Sequence, residues 1–71
     1  MVKVKLKSGV IENILAHKNL SQNGLAGKLG ISSGYISQLL NGKRLPSPEM
    51  REKFLTYFND LGFDDLFEIL K

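Results

Sequence analysis

The 71-residue chain has no cysteine, no tryptophan, one histidine and two prolines, and nowhere are more than three apolar residues consecutive. Without cysteine it has neither disulfides nor thiolate metal sites, which suits a reducing compartment. His17 has no matching thiol or acid nearby, so a surface or half-buried histidine is the expectation, not a ligand or a general base. The short apolar runs exclude a membrane span, and the N-terminal "MVKVKLKSG" lacks the continuous apolar stretch of a signal peptide. The chain is expected to stay in the cytoplasm where it is made. Carboxylates do gather at Asp64, Asp65 and Glu68. No histidine, cysteine or second acidic cluster stands beside them, and acids in the first turn of a helix simply suit its dipole. No enzyme, metal or cofactor is expected. A chain this short is one domain, and it buries only about 60% of its unfolded surface.

What is present is unevenly spread. Residues 1–44 carry seven Lys or Arg against the single Glu12, a net +6, whereas residues 45–71 carry three against six acids, a net −3. Such an asymmetry suits a polyanionic partner on one side of the fold; a solvated basic face is the plain alternative.

Apolar spacing predicts five helices. Val10, Ile11, Ile14 and Leu15 mark the first, from Val10 to Lys18. Ser21 caps a second, Gln22 to Leu29, with Leu25, Ala26 and Leu29 inward and Gly30 at its end. Ser32 caps a third, where Ile36, Leu39 and Leu40 share a face and Asn41-Gly42 stops the pattern. Ser47-Pro48 opens a fourth, lined by Met50, Phe54, Tyr57, Phe58 and Leu61 and ended by Gly62. A fifth, "FDDLFEILK", is capped by Asp64 or Asp65 and buries Leu66, Phe67 and Ile69 or Leu70 in about two turns. The aromatics of the last two helices read as core. Outside this scheme lies "VKVKLK", whose alternation of Val2, Val4 and Leu6 with Lys3, Lys5 and Lys7 has the period of a strand. Two readings stand: a strand pairing with its counterpart in a second subunit, or a basic arm that enters a DNA groove.

Two short helices joined by a glycine turn, the second apolar on one side and polar on the other, form the arrangement that sets a helix into the DNA major groove. Ala26 is small where the helices cross and Gly30 makes the turn. With Ile36 facing the core, a step of about 100° per residue places Gly34, Gln38 and Asn41 opposite, with Ser37 on their flank. These side chains are short, which lets the helix backbone approach base edges.

The stretch "LSQNGLAGKLGISSGYISQLLNGKRLPS" resembles the Xre/Cro-type helix-turn-helix family of phage and bacterial repressors, at Leu20, Ser21, Gln22, Leu25, Ala26, Leu29, Gly30, Ile31, Ser32, Ile36, Leu39, Asn41, Gly42, Lys43, Pro46 and Ser47. "LGFDDLF" is similar to the family's final helix. The resemblance implies an all-α, five-helix, lambda-repressor-like domain over residues 9–71, preceded by a basic extended segment at residues 1–8. It implies double-stranded DNA as partner, a homodimer on a roughly palindromic operator, and insertion of residues 32–41 in the major groove. Base reading then maps to Ser33, Gly34, Ser37 and Gln38. Of these Gln38 is the strong reader, able to make a bidentate contact to adenine. Phosphate gripping maps to Gln22, Asn41, Gly42 and Lys43, with Arg44 added by its charge. The chain departs from the pattern in three places. Gly24 and Gly27 replace better helix formers, each costing about 1 kcal/mol relative to alanine, so Gly→Ala at either should stabilise. Leu40 stands where the family has an acid that joins the first and third helices.

The function expected is that of a sequence-specific transcriptional regulator acting by occupancy of an operator. The alternatives are an antitoxin-type or other protein-binding module on the same fold, and the N-terminal domain of a longer repressor.

Overall fold

In the computed structural model, which describes residues 2–70, the chain runs β1 (Lys3–Leu6), α1 (Ser8–Lys18), α2 (Gln22–Leu29), α3 (Ser33–Leu40), α4 (Pro48–Tyr57), α5 (Phe63–Leu66) and β2 (Phe67–Leu70). Met1 and Lys71, the outer ends of the two expected segments, lie outside the described residues. Among the described residues the architecture is mostly helical, with five helices and one two-stranded sheet, so the all-α expectation is corrected.

Serine hydroxyls start three of the helices. Ser21 Oγ accepts from the Gly24 N–H at 2.9 Å, Ser32 Oγ from the Tyr35 N–H at 3.1 Å, and Ser47 Oγ from the Met50 N–H at 3.2 Å. Each satisfies an amide that would otherwise lack an intrahelical partner. Pro48 follows in the first turn of α4, where its missing N–H costs nothing. At the other end of α2, Gly30 adopts φ 71°, and the Ile31 N–H reaches back to the Ala26 carbonyl at 2.9 Å. Such a left-handed conformation is cheap only for glycine and a few polar residues. It turns the chain sharply from α2 into α3. Lys53 adds a donor from α4, its Nζ 3.3 Å from the Leu29 carbonyl at the end of α2.

The largest correction falls at the C-terminus. The expected final helix of two turns is a single turn, α5, followed by β2, which pairs antiparallel with β1 in the register Lys3 with Leu70, Val4 with Ile69, Lys5 with Glu68 and Leu6 with Phe67. The N-terminal strand therefore pairs within its own chain. It is neither a loose arm nor dependent on a second subunit for its partner. The Lys7 N–H donates to the Leu66 carbonyl at 2.8 Å, extending the ladder to the end of α5. The physical reason is burial: Leu6 and Phe67 face each other and are both 1% exposed, and Val4 is 7% exposed. A continued helix would leave these N-terminal side chains without a covering element.

The core gathers Leu6, Ile11, Leu15, Leu25, Ala26, Leu29, Ile36, Leu39, Phe54, Phe58, Leu66 and Phe67. Phe54 is its hinge point, stacked with Phe58 at 6.3 Å between ring centroids and edge-on to Phe67 at 6.2 Å, which ties α4 to β2. Aromatic pairs at these separations contribute about 0.5–1.5 kcal/mol beyond their buried area. α4 stops at Tyr57, short of the expected end at Gly62, because Asn59 and Asp60 favour a turn, closed by the Leu61 N–H on the Phe58 carbonyl at 3.0 Å. Gly62 instead opens α5, its N–H held by Asp65 Oδ2 at 2.8 Å.

Candidate nucleic-acid interface

α3 is amphipathic in the strict sense that one side is sealed and the other open. Ile36 is 0% exposed and Leu39 1%, and Leu40 is buried beside them, whereas Ser33, Gly34, Ser37 and Gln38 are all exposed. Ala26, 2% exposed, lets α2 approach α3 closely. The four residues expected to read bases thus share one solvent face of a helix whose opposite face is locked in the core. At Gly34 a Cβ would meet nothing within 4 Å, so no intramolecular contact requires glycine there.

The phosphate-gripping set divides between two places. Gln22 opens α2 and is exposed in its first turn. Asn41, Gly42, Lys43 and Arg44 are exposed on the turn that leaves α3. Gly42 takes φ 79°, and Asn41 Oδ1 accepts from the Lys43 N–H at 3.3 Å. Two amides of this turn, those of Lys43 and Arg44, fold back on the Gln38 carbonyl at 3.0 and 3.2 Å. The side chains follow: Arg44 Nε donates to Gln38 Oε1 at 3.0 Å, and the guanidinium carbon lies 5.2 Å from the centroid of the Tyr35 ring. The sequence pattern places Gln38 and Arg44 six residues apart in different elements and gives no sign of this contact. It forms only because the turn reverses.

Lys5 and Lys7 join the same side of the molecule. With Ser8, Gly9, Asn41, Gly42 and the carboxylate-bearing Glu68 they line one cleft between β1 and the turn after α3, where Lys7 Nζ also donates to the Asp64 carbonyl at 2.8 Å. Ser8 Oγ donates to the Leu40 carbonyl, closing the start of α1 against the end of α3. That bond joins the two helices where the expected acid is replaced by Leu40. Charge counting alone placed basic residues early in the chain, but pairing with β2 is what brings Lys5 and Lys7 beside Asn41.

The remaining chemistry-bearing residues have structural work. Asp65 caps α5, and Glu68 stands opposite Lys5 across the sheet. His17 is exposed, its Nδ1 2.8 Å from the Asn13 carbonyl in the preceding turn, so that nitrogen carries the proton there. Among the described residues no group of three or more His, Cys, Asp or Glu is placed to hold a metal ion. Among the described residues no helix is long and apolar enough to cross a membrane.

Gly24 differs from its neighbour. A Cβ there would lie 2.7 Å from Leu20 Cδ1 and 3.3 Å from the capping Ser21 Oγ, whereas at Gly27 nothing lies within 4 Å. Gly24 sits against the tip of the Leu20 side chain at the α1–α2 turn, which would have to shift to admit an alanine, whereas Gly27 faces open space.

A family model described as helix-turn-helix matches residues 11–66. The chain is also 35% identical over 65 residues, 92% of its length and 83% of the relative's, to an uncharacterized HTH-type transcriptional regulator, YvzC, of Bacillus subtilis (strain 168). No solved structure matches the chain.

Proposed function

The chain belongs to the Xre/Cro-like helix-turn-helix family, and from that membership and the geometry of α3 we propose that it is a sequence-specific, DNA-binding transcriptional regulator of the Cro/repressor type. α3 enters the major groove with Ser33, Gly34, Ser37 and Gln38 toward the base edges, while Gln22, Asn41, Gly42 and Lys43 hold phosphates on either side. Lys5 and Lys7 extend the phosphate contacts from the cleft beside Asn41. The observation that carries this reading is the open polar face of α3 on a helix whose other face is fully sealed. A helix inserted in a groove must keep its orientation without help from the DNA, and buried Ile36 and Leu39 supply that.

Regulation follows from occupancy: a domain seated on an operator excludes polymerase. The protein acts as a homodimer on a two-fold operator. Exposed Val2 and Leu45 line one groove with Pro46, Pro48, Lys3 and Arg51, and Ile69 is 50% exposed on β2, so apolar surface remains for a second copy. Selection from random duplex DNA tests the reading. The expected product is a pair of inverted half-sites separated by one helical turn, about 10 base pairs. Recovery of unselected sequence would contradict it.

A further inference from the structure

The sheet has only two strands, so β1 and β2 each have one side without a strand beside it. The two sides differ. The Lys7 N–H bond to the Leu66 carbonyl fixes the phase of the ladder. Counting on in the antiparallel register, Lys5 with Glu68 and Lys3 with Leu70 exchange backbone bonds, while Val4 and Leu6 on β1, and Phe67 and Ile69 on β2, turn their N–H and C=O groups outward. On β1 those residues are closed in: Val4 is 7% exposed and Leu6 1%, with Leu45, Pro46 and Leu40 alongside. On β2 the Phe67 N–H is taken by the Phe63 carbonyl, but Ile69 is 50% exposed and Leu70 38%. Ile69 thus brings an outward donor, an outward acceptor and an uncovered apolar side chain to one point. "FEIL" holds no proline or lysine, the residues that commonly keep an edge strand from pairing with another chain.

We propose that β2 is the contact between two copies of the chain, pairing antiparallel with the same strand of the second copy about a two-fold axis at Ile69. The product is a four-stranded sheet in the order β1-β2-β2-β1. This inference rests on the homodimer of the proposed function and names its surface. Within β2 three registers match outward groups to outward groups. The one centred on Phe67 needs an N–H that is already taken. The one centred on Glu68 sets two carboxylates directly opposite each other, which is destabilising. Centring on Ile69 sets Glu68 opposite Leu70 of the partner subunit and Ile69 against its own counterpart. The inner-face row of Val4 and Ile69 then continues into the second copy. A self-complementary edge is what a two-fold contact requires. Around it, exposed Val2 and Leu45 share a groove with Val4 and add apolar surface at the same end of the sheet.

The test is sedimentation velocity of the full chain over a range of concentrations, with a second arm that measures binding to a half-site and a full site selected from random duplexes. The wild type is expected to dimerise. Ile69→Lys and Ile69→Glu each set like charges against each other across the axis and should weaken the dimer by about tenfold or more. Mixed one to one, the two variants should restore it. Ile69→Pro removes only an N–H that points away from β1, so it too should give a folded monomer, with thermal melting as the check on the fold. All three should keep half-site affinity and lose cooperative filling of the full site. A dimer that none of the variants weakens overturns the inference, as does a charge-swapped mixture that stays monomeric, or a wild type that is monomeric at every concentration. An unweakened dimer on a protein that still selects an operator leaves the DNA reading standing. A dimer lost and rescued as expected, in a protein that selects no duplex, upholds the β2 contact and overturns the DNA reading alone.

Discussion

Lys43 and Gln38 stand five residues apart, yet their substitutions are expected to read out differently. Lys43 lies on the turn, where a side chain meets the uniform phosphate backbone, so Lys43→Ala should weaken all sequences about equally and lower the salt slope by about 1. Gln38→Ala should instead relax one base pair per half-site by about 1–3 kcal/mol. Binding titrations on a selected site and on single-base variants distinguish the two. The glycines of α2 separate in the same way. Gly27→Ala should raise stability by about 0.5–1 kcal/mol, since the new methyl meets nothing within 4 Å and the helix loses backbone freedom in the unfolded chain. Gly24→Ala should bring no such gain, because its methyl would lie 2.7 Å from Leu20 Cδ1 and force that side chain to move. Thermal melting of the two variants checks this; equal stabilisation would mean that Leu20 yields freely.

The elements differ in how much of them a sequence carries. α2 and α3 were legible because their signals are local: a serine cap, an apolar stripe with four-residue spacing and a glycine at the end all lie within a few residues of one another. The exposed positions of α3 follow from the same 100° step, so the candidate face was legible too. β2 was not. "FEIL" continues the helical spacing of Leu66, and only a partner more than sixty residues away in sequence, β1, makes it a strand. The Gln38–Arg44 contact was hidden for a similar reason, since it depends on how the turn folds back. The strand pair carries its own prediction. Leu6 is 1% exposed at the end of the β1–β2 register, opposite the equally buried Phe67, so Leu6→Ala should destabilise the domain by about 2–5 kcal/mol, measured by chemical denaturation. For a domain of this size that is a large share of its stability. A change of less than 0.5 kcal/mol would mean that the sheet is dispensable.

At the scale of the whole molecule, charge and dimensions act together. The net +6 of residues 1–44 includes Lys5 and Lys7, which line a cleft with Asn41 and Gly42, and Lys43 and Arg44, which follow on the turn after α3. Four or so neutralised phosphates per subunit give a slope of log affinity against log salt of roughly −3 to −4. The domain measures 35 × 25 × 19 Å, which allows two copies to sit side by side on one face of DNA at the spacing of about 34–36 Å between successive major grooves. The central claim is that α3 and its flanking turn are the surface that meets DNA, and mapping backbone amide shifts by NMR while titrating in a selected duplex tests it most directly. The account predicts the largest changes at Ser33–Gln38, Asn41–Arg44 and Gln22, with α4 nearly silent. Changes centred on α4 and α5 instead, with α3 unmoved, would contradict it.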